Sequence, residues 1–368
     1  MRPDVLILGG GIIGLACARE LARAGLRVEL VERLPAGAEA SIAAAGMLSP
    51  LAEVPVPGPF FDACRASRDL WLPWVAELEE ETGLFIEHDT SGALLLALDD
   101  AEAAHVDRLV AAARELGERA EEIDAEAVSG WVPDIAPDLR RAVLLPGEHR
   151  VDNIQACAIL AASALRAGAI LTYGFEVERI ERAGDGVRVT SGDQTLEAGL
   201  LLLTAGAWSG QIAGIPPLPV HPVRGQMLLL GGIDWSWAGT IRGLHGYAVR
   251  RGETGLLIGA TVEEAGFFSH TTVDGIGSLL SFARRTFPGL AGARLESTWA
   301  GLRPGTPDGL PLIGPLPGWP VVAATGHFRN GILLAPWTAR EVARIILDGG
   351  SPESEPFSPA RFPLTPSH

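Results

Sequence analysis

The sequence predicts an α/β protein in which a Rossmann-like nucleotide-binding domain is interrupted by a second domain built on a mainly antiparallel sheet. Three observations carry that expectation. The chain opens on a strand, a glycine turn, a helix and a second strand, a complete βαβ unit that closes at Glu32. Far downstream, residues 220–260 read as several strands separated by glycine turns. A strand, a glycine and a helix then return after residue 320, so the first domain is discontinuous.

Residues 4–8, DVLIL, are a continuous apolar run suited to a parallel strand buried on both faces. Across 12–24 the apolar Ile13, Ala16, Cys17, Leu21 and Ala24 recur at helical spacing, Arg19, Glu20 and Arg23 fall mostly elsewhere, and Gly25 supplies a C′ residue. RVELVE at 27–32 is the second strand. The prolines and glycine of 50–59 predict a loop, followed by a helix to 83 that bends or breaks near Pro73. GALLLAL at 92–98 reads as a strand, 100–117 as an Ala-rich charged helix, and Asp152 as the cap of another long helix. Residues 171–203 alternate like β-structure; the later sheet turns at 231–232 and 252–255, and a last helix spans 331–347. No repeat or heptad array is visible, and the Pro- and Ser-rich tail after Gly350 reads as a surface arm. This order assigns 1–50, 150–215 and 298–368 to the nucleotide domain, and 51–149 and 216–297 to the substrate domain.

Composition narrows the partners. With 368 residues and 47% hydrophobic content the chain supports two domains with a substantial core. A formal charge of −16 repels phosphate backbones and anionic lipid, so neither nucleic acid nor membrane is expected as a partner. All 29 basic residues are Arg, which excludes a lysine Schiff base. Cys17, Cys64 and Cys157 are scattered and odd in number, which points to a reducing cytoplasm. The N-terminal apolar run is broken by three glycines and reads as strand, turn and helix, not as a leader, and no apolar stretch reaches the roughly 20 residues of a membrane span. The eight histidines form no metal-type spacing, so no metal is expected.

Gly9-x-Gly11-x-x-Gly14 sits between a strand and a helix and is followed by the acidic Glu32, the full dinucleotide context. Gly9 permits the tight turn, Gly11 lets the backbone approach a pyrophosphate, Gly14 permits close packing, and Glu32 accepts from the adenosine ribose. A glycine turn without a ligand is the bland reading, disfavoured by that context. EASIAAAGMLSP, from 39 to 50, brings small residues where a bulky ligand can approach closely, although it also reads as an Ala-rich helix start. A second glycine turn at a helix N-terminus, in VVAATGHFRNGILLAPW, suits a ligand too long for one βαβ unit.

GGGIIGLACARELA, EASIAAAGML, LLLTAGAWS, GLRPGTPDGLPLIGP and ATGHFRNGILLAP together resemble the glycine-oxidising branch of the D-amino acid oxidase and sarcosine oxidase family, in the same order from residue 4 to about 348. The AAAGM and GHFRNGILLAP blocks are fairly specific; the first glycine motif is shared by many flavin and nicotinamide enzymes. The resemblance implies noncovalent FAD and a homotetramer. It implies cofactor contacts from Gly9, Gly11, Ile12, Ile13 and Gly14, from Glu32 and Arg33, and from Ser41, Ala44, Ala45, Gly46 and Met47. Val177 and the run Ala205, Gly206 and Trp208 join them, as do Arg303 and the segment His327, Phe328, Arg329, Asn330, Gly331, Ile332 and Leu333.

An amino-acid oxidase must anchor a carboxylate and hold the substrate carbon over the flavin, and the planar fork of Arg suits the anchor. The resemblance implies that anchor at Arg303, with Tyr247 closing over the same carboxylate and Arg329 nearby; the bland alternatives are a surface ion pair, a core aromatic and a helix-start or interface arginine. It further implies hydride transfer from glycine, and from sarcosine or small D-amino acids, with oxygen as acceptor. The expected products are an imine or glyoxylate, ammonia and hydrogen peroxide, the imine serving thiamine thiazole synthesis. His327 and His245 read as hydrogen-bonding residues, because hydride transfer needs no side-chain base. No cysteine in the C-terminal half can tether the flavin. One departure stands out: the family places a methionine lining the pocket after IGAT, where this chain has Val262, so a wider or differently shaped pocket is expected. Two other readings share the fold: a flavin dehydrogenase with a non-oxygen acceptor, and a flavin-binding assembly or sensor protein without catalysis.

Overall fold

A computed structural model describes residues 2–363. Val5–Leu8, apolar at every position and wholly buried, lies inside a six-stranded sheet. Its parallel neighbours are Val28–Glu32 and Leu200–Leu203, in the register Val5 to Val28 and Val5 to Leu200. Ile170–Tyr173 flanks one side and Val321–Thr325 the other, both parallel, and Leu312–Pro315 closes the second edge antiparallel. The helix Ile12–Arg23 packs between Gly331–Asp348 and Asn153–Arg166, which explains why ten of its twelve residues are buried despite a charged stripe. Arg19, fully buried on that helix, is held by Glu77 and Glu81. Asn153–Arg166 begins as expected, the Asp152 carboxylate accepting from the N–H groups of Ile154 and Gln155, each at 2.9 Å.

The second sheet has eight strands, in the order Arg294–Gly305, His221–Gly231, Gly255–Gly259, Gly246–Arg251, Thr240–Gly243, Ala93–Ala97, Arg141–Leu145, Glu121–Ile123. Every pair is antiparallel except Thr240–Gly243 with Ala93–Ala97. Val273–Thr286 covers it, capped by the Thr272 hydroxyl and burying Leu279, Phe282 and Ala283. Two smaller three-stranded sheets complete the β-structure among the described residues.

Several expectations need correction. The predicted loop 50–59 contains a short helix, Pro50–Glu53, started by Pro50 at a position where a missing N–H costs nothing and held by Glu148, whose Oε1 accepts from the N–H groups of Leu51 and Ala52 at 3.0 and 3.3 Å. The helix Pro59–Thr82 runs through Pro73 without interruption; Pro73 lies on the exposed face, where water can serve the carbonyl it leaves unpaired. The tail is no free arm as far as residue 363: Pro352–Phe357 folds back and buries Phe357 edge-on against Phe60 and Trp337. Its last residues, 364–368, lie outside the described residues, as does Met1. Arg294–Gly305 is a single long strand of the eight-stranded sheet, and the expected domain boundary at 298 falls inside it. Among the described residues no helix is long and apolar enough to cross a membrane.

Candidate active site

A cavity of about 360 Å³ lies between the two large sheets, running from the glycine turn after Val5–Leu8 to the strands that carry Tyr247 and Arg303. At its first end the backbone is shaped by what cannot be there. Gly9 has φ +113°, and a Cβ on it would sit 2.5 Å from the Thr204 carbonyl oxygen. The Thr204 hydroxyl donates to the carbonyls of Leu8 and Gly9 at 2.9 Å, tying the turn to the next strand. Glu32 accepts from the Gly10 N–H at 2.7 Å and the Leu34 N–H at 2.9 Å, so its carboxylate is fixed at the cavity wall with lone pairs to spare. Ser41 Oγ accepts from the Ile12 N–H at 3.0 Å, and the helix Ile12–Arg23 has no side-chain cap of its own. Its positive end therefore faces the cavity. Arg33 stacks on the Trp208 ring, 3.9 Å from its centre, and pairs with Glu39 at 2.7 Å.

Of the residues expected here, Gly9, Gly11, Ile12, Ile13, Glu32, Arg33, Ser41, Ala44, Ala45, Gly46 and Met47 all line the cavity. So do Val177, Ala205, Gly206 and Trp208, and at the far end His327, Phe328, Arg329, Gly331 and Ile332. Three do not. Gly14 serves packing alone, because a Cβ there would lie 1.9 Å from the Gly9 carbonyl oxygen. Asn330 is the buried N-cap residue of the last helix, outside the lining. Leu333 is buried one helical step further, its carbonyl accepting from Ser67 Oγ at 2.6 Å and the Trp71 indole N–H at 3.0 Å.

The opposite end holds the charged groups. Arg303 donates from Nη1 to the carbonyls of Thr261 (3.0 Å) and Arg224 (3.3 Å), and among the described residues no carboxylate stands within ion-pair distance of it. Burial pushes its guanidinium below the usual arginine range. Burial likewise raises the Tyr247 phenol, opposed by the nearby Arg303 and Arg329 charges, so it is neutral at physiological pH. Arg329 behaves differently: it pairs with Glu53 at 2.7 Å, and that carboxylate raises its pKa. Glu53 also pairs with Arg242. Burial pushes the Glu53 carboxyl up, but the Arg242 and Arg329 guanidinium groups reverse this and hold it below the usual range. Glu53 was not legible in the sequence; it has no motif, and only the short helix Pro50–Glu53 delivers it into the cavity. Met227 and Phe175, also in the lining, escaped for the same reason.

His327 is buried, its Nε2 3.1 Å from the Thr338 hydroxyl, and burial lowers its pKa to about 3. It is a neutral structural imidazole. His245 is exposed on the turn before Tyr247 and outside the lining. Val262 is 54% exposed and also outside the lining, so the expected change of pocket shape does not follow from it. Phe328 takes a left-handed conformation, φ +48°, its N–H donating to the Pro304 carbonyl at 2.9 Å; such strain costs about 1–3 kcal/mol and is held by its surroundings. Among the described residues no group of three or more His, Cys, Asp or Glu is placed to hold a metal.

Comparison with known proteins adds three findings. Residues 4–345 match the family described as FAD dependent oxidoreductase. The chain is 37% identical to a glycine oxidase of Pseudomonas aeruginosa, over 98% of this chain and 99% of that protein. It is 38% identical to a bifunctional protein ThiO/ThiG of Synechocystis, again over 98% of this chain but only 54% of that longer protein. Among solved structures, a glycine oxidase from Geobacillus kaustophilus superimposes with a TM-score of 0.92 at 32% identity, covering 98% of this chain and 99% of that one.

Proposed function

Because the chain belongs to the family of FAD-dependent oxidoreductases, we propose that it oxidises glycine, with the amino acid's carboxylate on Arg303 and oxygen as the final acceptor. FAD is the cofactor, and the residues present fit it. The turn at Gly9 and the close approach at Gly46, where a Cβ would lie 1.9 Å from the Val151 carbonyl oxygen, leave no room for side chains beside the cavity. Glu32, Ser41 and the free helix N-terminus supply acceptors and donors where ribose and pyrophosphate need them. We assign the six-stranded layer to cofactor binding and the eight-stranded sheet to the substrate. When bound, FAD accepts a hydride from the amine-bearing carbon and returns the electrons to oxygen.

The observation that carries the reading is the Arg303 guanidinium, half-buried in the cavity wall, without a carboxylate partner. A buried charge is costly unless compensated, and a substrate carboxylate, bound through two parallel hydrogen bonds, compensates it. Tyr247, neutral beside it, can donate to the same carboxylate. Arg329 is already paired with Glu53, which it shares with Arg242, so it shapes the field and leaves the anchoring to Arg303. No base is required, because the substrate amine, once neutral, has a lone pair that assists departure of the hydride. Binding between the two sheets orients the small substrate.

The identity of several relatives as glycine oxidases supports glycine over larger amino acids, and their naming as oxidases disfavours a non-oxygen acceptor. The match to half of a longer bifunctional relative supports coupling of the imine product to a second activity, as in thiamine thiazole synthesis. We place the protein in the cytoplasm on its three buried, unpaired thiols, and as a homo-oligomer by family resemblance. The test is oxygen uptake by the yellow protein with glycine, sarcosine and D-alanine. Equimolar peroxide and glyoxylate from glycine are expected; no uptake with any of the three overturns the reading.

A further inference from the structure

Arg303 and Tyr247 come from strands that are not neighbours. The sheet order runs Arg294–Gly305, His221–Gly231, Gly255–Gly259, Gly246–Arg251, so two strands separate them. Each side chain lies inward over the strand beside its own, and each strand offers a glycine at the crossing. Arg303 pairs in register with Val223, and Gly225, two residues on, shares its face of the sheet. A Cβ on Gly225 would lie 2.2 Å from both Nη1 and Nη2 of Arg303 and 2.3 Å from Cζ. The guanidinium thus rests flat on the Gly225 backbone while Nη1 reaches across to the Thr261 carbonyl. Tyr247 pairs directly with Gly259, and a Cβ there would lie 2.5 Å from its Cζ and Oη. Gly301, in register with Gly225, is itself covered by Ala43, whose Cβ would lie 2.6 Å from a Cβ there.

Neither Gly225 nor Gly259 has a positive φ. No left-handed backbone demands glycine at either; the space the two anchors occupy does. We propose that Gly225 and Gly259 form a glycine bed that sets the depth and mutual orientation of the Arg303 and Tyr247 clamp, and so act as positioning residues for the substrate carboxylate. Non-bonded atoms settle about 3.5 Å apart, so a methyl on Gly225 lifts the guanidinium by more than about 1 Å or tilts it out of the plane of a bound carboxylate. Misplacement on that scale is enough to cost about 100-fold in a positioned reaction. The bed makes the clamp selective for a carboxylate held deep and flat, and it places the methyl-free carbon of a small amino acid close to the sheet.

This inference rests on the carboxylate reading of Arg303, and the experiment separates the two. Acetate, a carboxylate without an amine, is titrated into the FAD-loaded protein, following the flavin's visible spectrum and, independently, the thermal unfolding midpoint. For Gly225→Ala the dissociation constant for acetate and the KM for glycine are expected to rise at least tenfold and kcat/KM to fall at least as much, with flavin content unchanged. In an Arg303→Ala background, Gly225→Ala is expected to change acetate binding less than twofold, because its effect passes through that guanidinium. If Gly225→Ala alone does not fold, the double variant, with the obstructing guanidinium removed, is expected to fold and hold FAD. Unchanged acetate binding in Gly225→Ala, additive losses in the double variant, or a double variant that fails to fold where Arg303→Ala folds each overturn the bed. Failure of the wild-type protein to bind acetate overturns the carboxylate reading itself.

Discussion

Arg303, Tyr247 and Glu53 divide the work at the residue scale. Arg303→Ala removes the half-buried cation that lacks a carboxylate partner, so apparent glycine affinity is expected to fall at least ~10-fold, about 1.4 kcal/mol, while the protein stays yellow. Steady-state kinetics check this, and a smaller change contradicts the anchor. Glu53→Gln acts on stability instead. It leaves Arg242 and Arg329 without their shared counter-charge at a site where the carboxylate is only 8% exposed, and breaking a buried pair costs about 3–5 kcal/mol. Urea unfolding is expected to show an unfolding free energy lowered by that amount, with a correspondingly lower midpoint. That Arg303, Tyr247 and Arg329 come to one cavity was legible because GLRPGT, GYAVRR and GHFRNG carry them in recognisable order. Glu53 was not, because its importance lies in who meets it, and Arg242 is 189 residues away in sequence. Gly225 and Gly259 were equally silent: a glycine in a strand shows that something approaches, never what.

At the scale of elements, the opening βαβ unit followed from local signals alone, since burial on both faces, helical spacing and a glycine turn agree over one short stretch. Gly14→Ala tests its tightest point. The added methyl would meet the Gly9 carbonyl oxygen at 1.9 Å, so the helix must move off the strand; overpacking of this kind costs about 1–3 kcal/mol, and flavin retention is expected to fall with it. The ratio of flavin to protein absorbance and a thermal scan measure both. The short helix Pro50–Glu53 was hidden because its proline, the following Pro55 and Pro57, and its length read as loop, and its order comes from Glu148. Burial raises the Glu148 carboxyl to about 7, partly opposed by Arg242. With its folded pKa above the unfolded value of 4.5, the stabilising form is the protonated one. That contribution is complete below about pH 4.5 and is lost as pH rises to about 7, a swing of up to about 3 kcal/mol. Glu148→Gln keeps an acceptor for the two N–H groups and removes the titration, so the difference in unfolding free energy between pH 5 and pH 8 is expected to shrink. An unchanged difference contradicts the assignment.

For the whole molecule, fold class and the return of the chain to its first sheet were readable, because a strand, glycine turn and helix recur at both ends. The long strand Arg294–Gly305 was not: its first residues are exposed and polar, and only its pairing with His221–Gly231 makes it a strand. That pairing matters most to function. It is the step that carries Arg303 against Gly225 and faces the eight-stranded sheet toward the glycine turn at Gly9, so that turn and Arg303 share one cavity. The claim that this cavity is an FAD-dependent glycine-oxidising site is tested most directly by the visible spectrum of the purified protein under anaerobic conditions, before and after glycine. Glycine is expected to bleach the flavin bands, and air to restore them with release of peroxide. A yellow protein whose spectrum glycine leaves oxidised would contradict it.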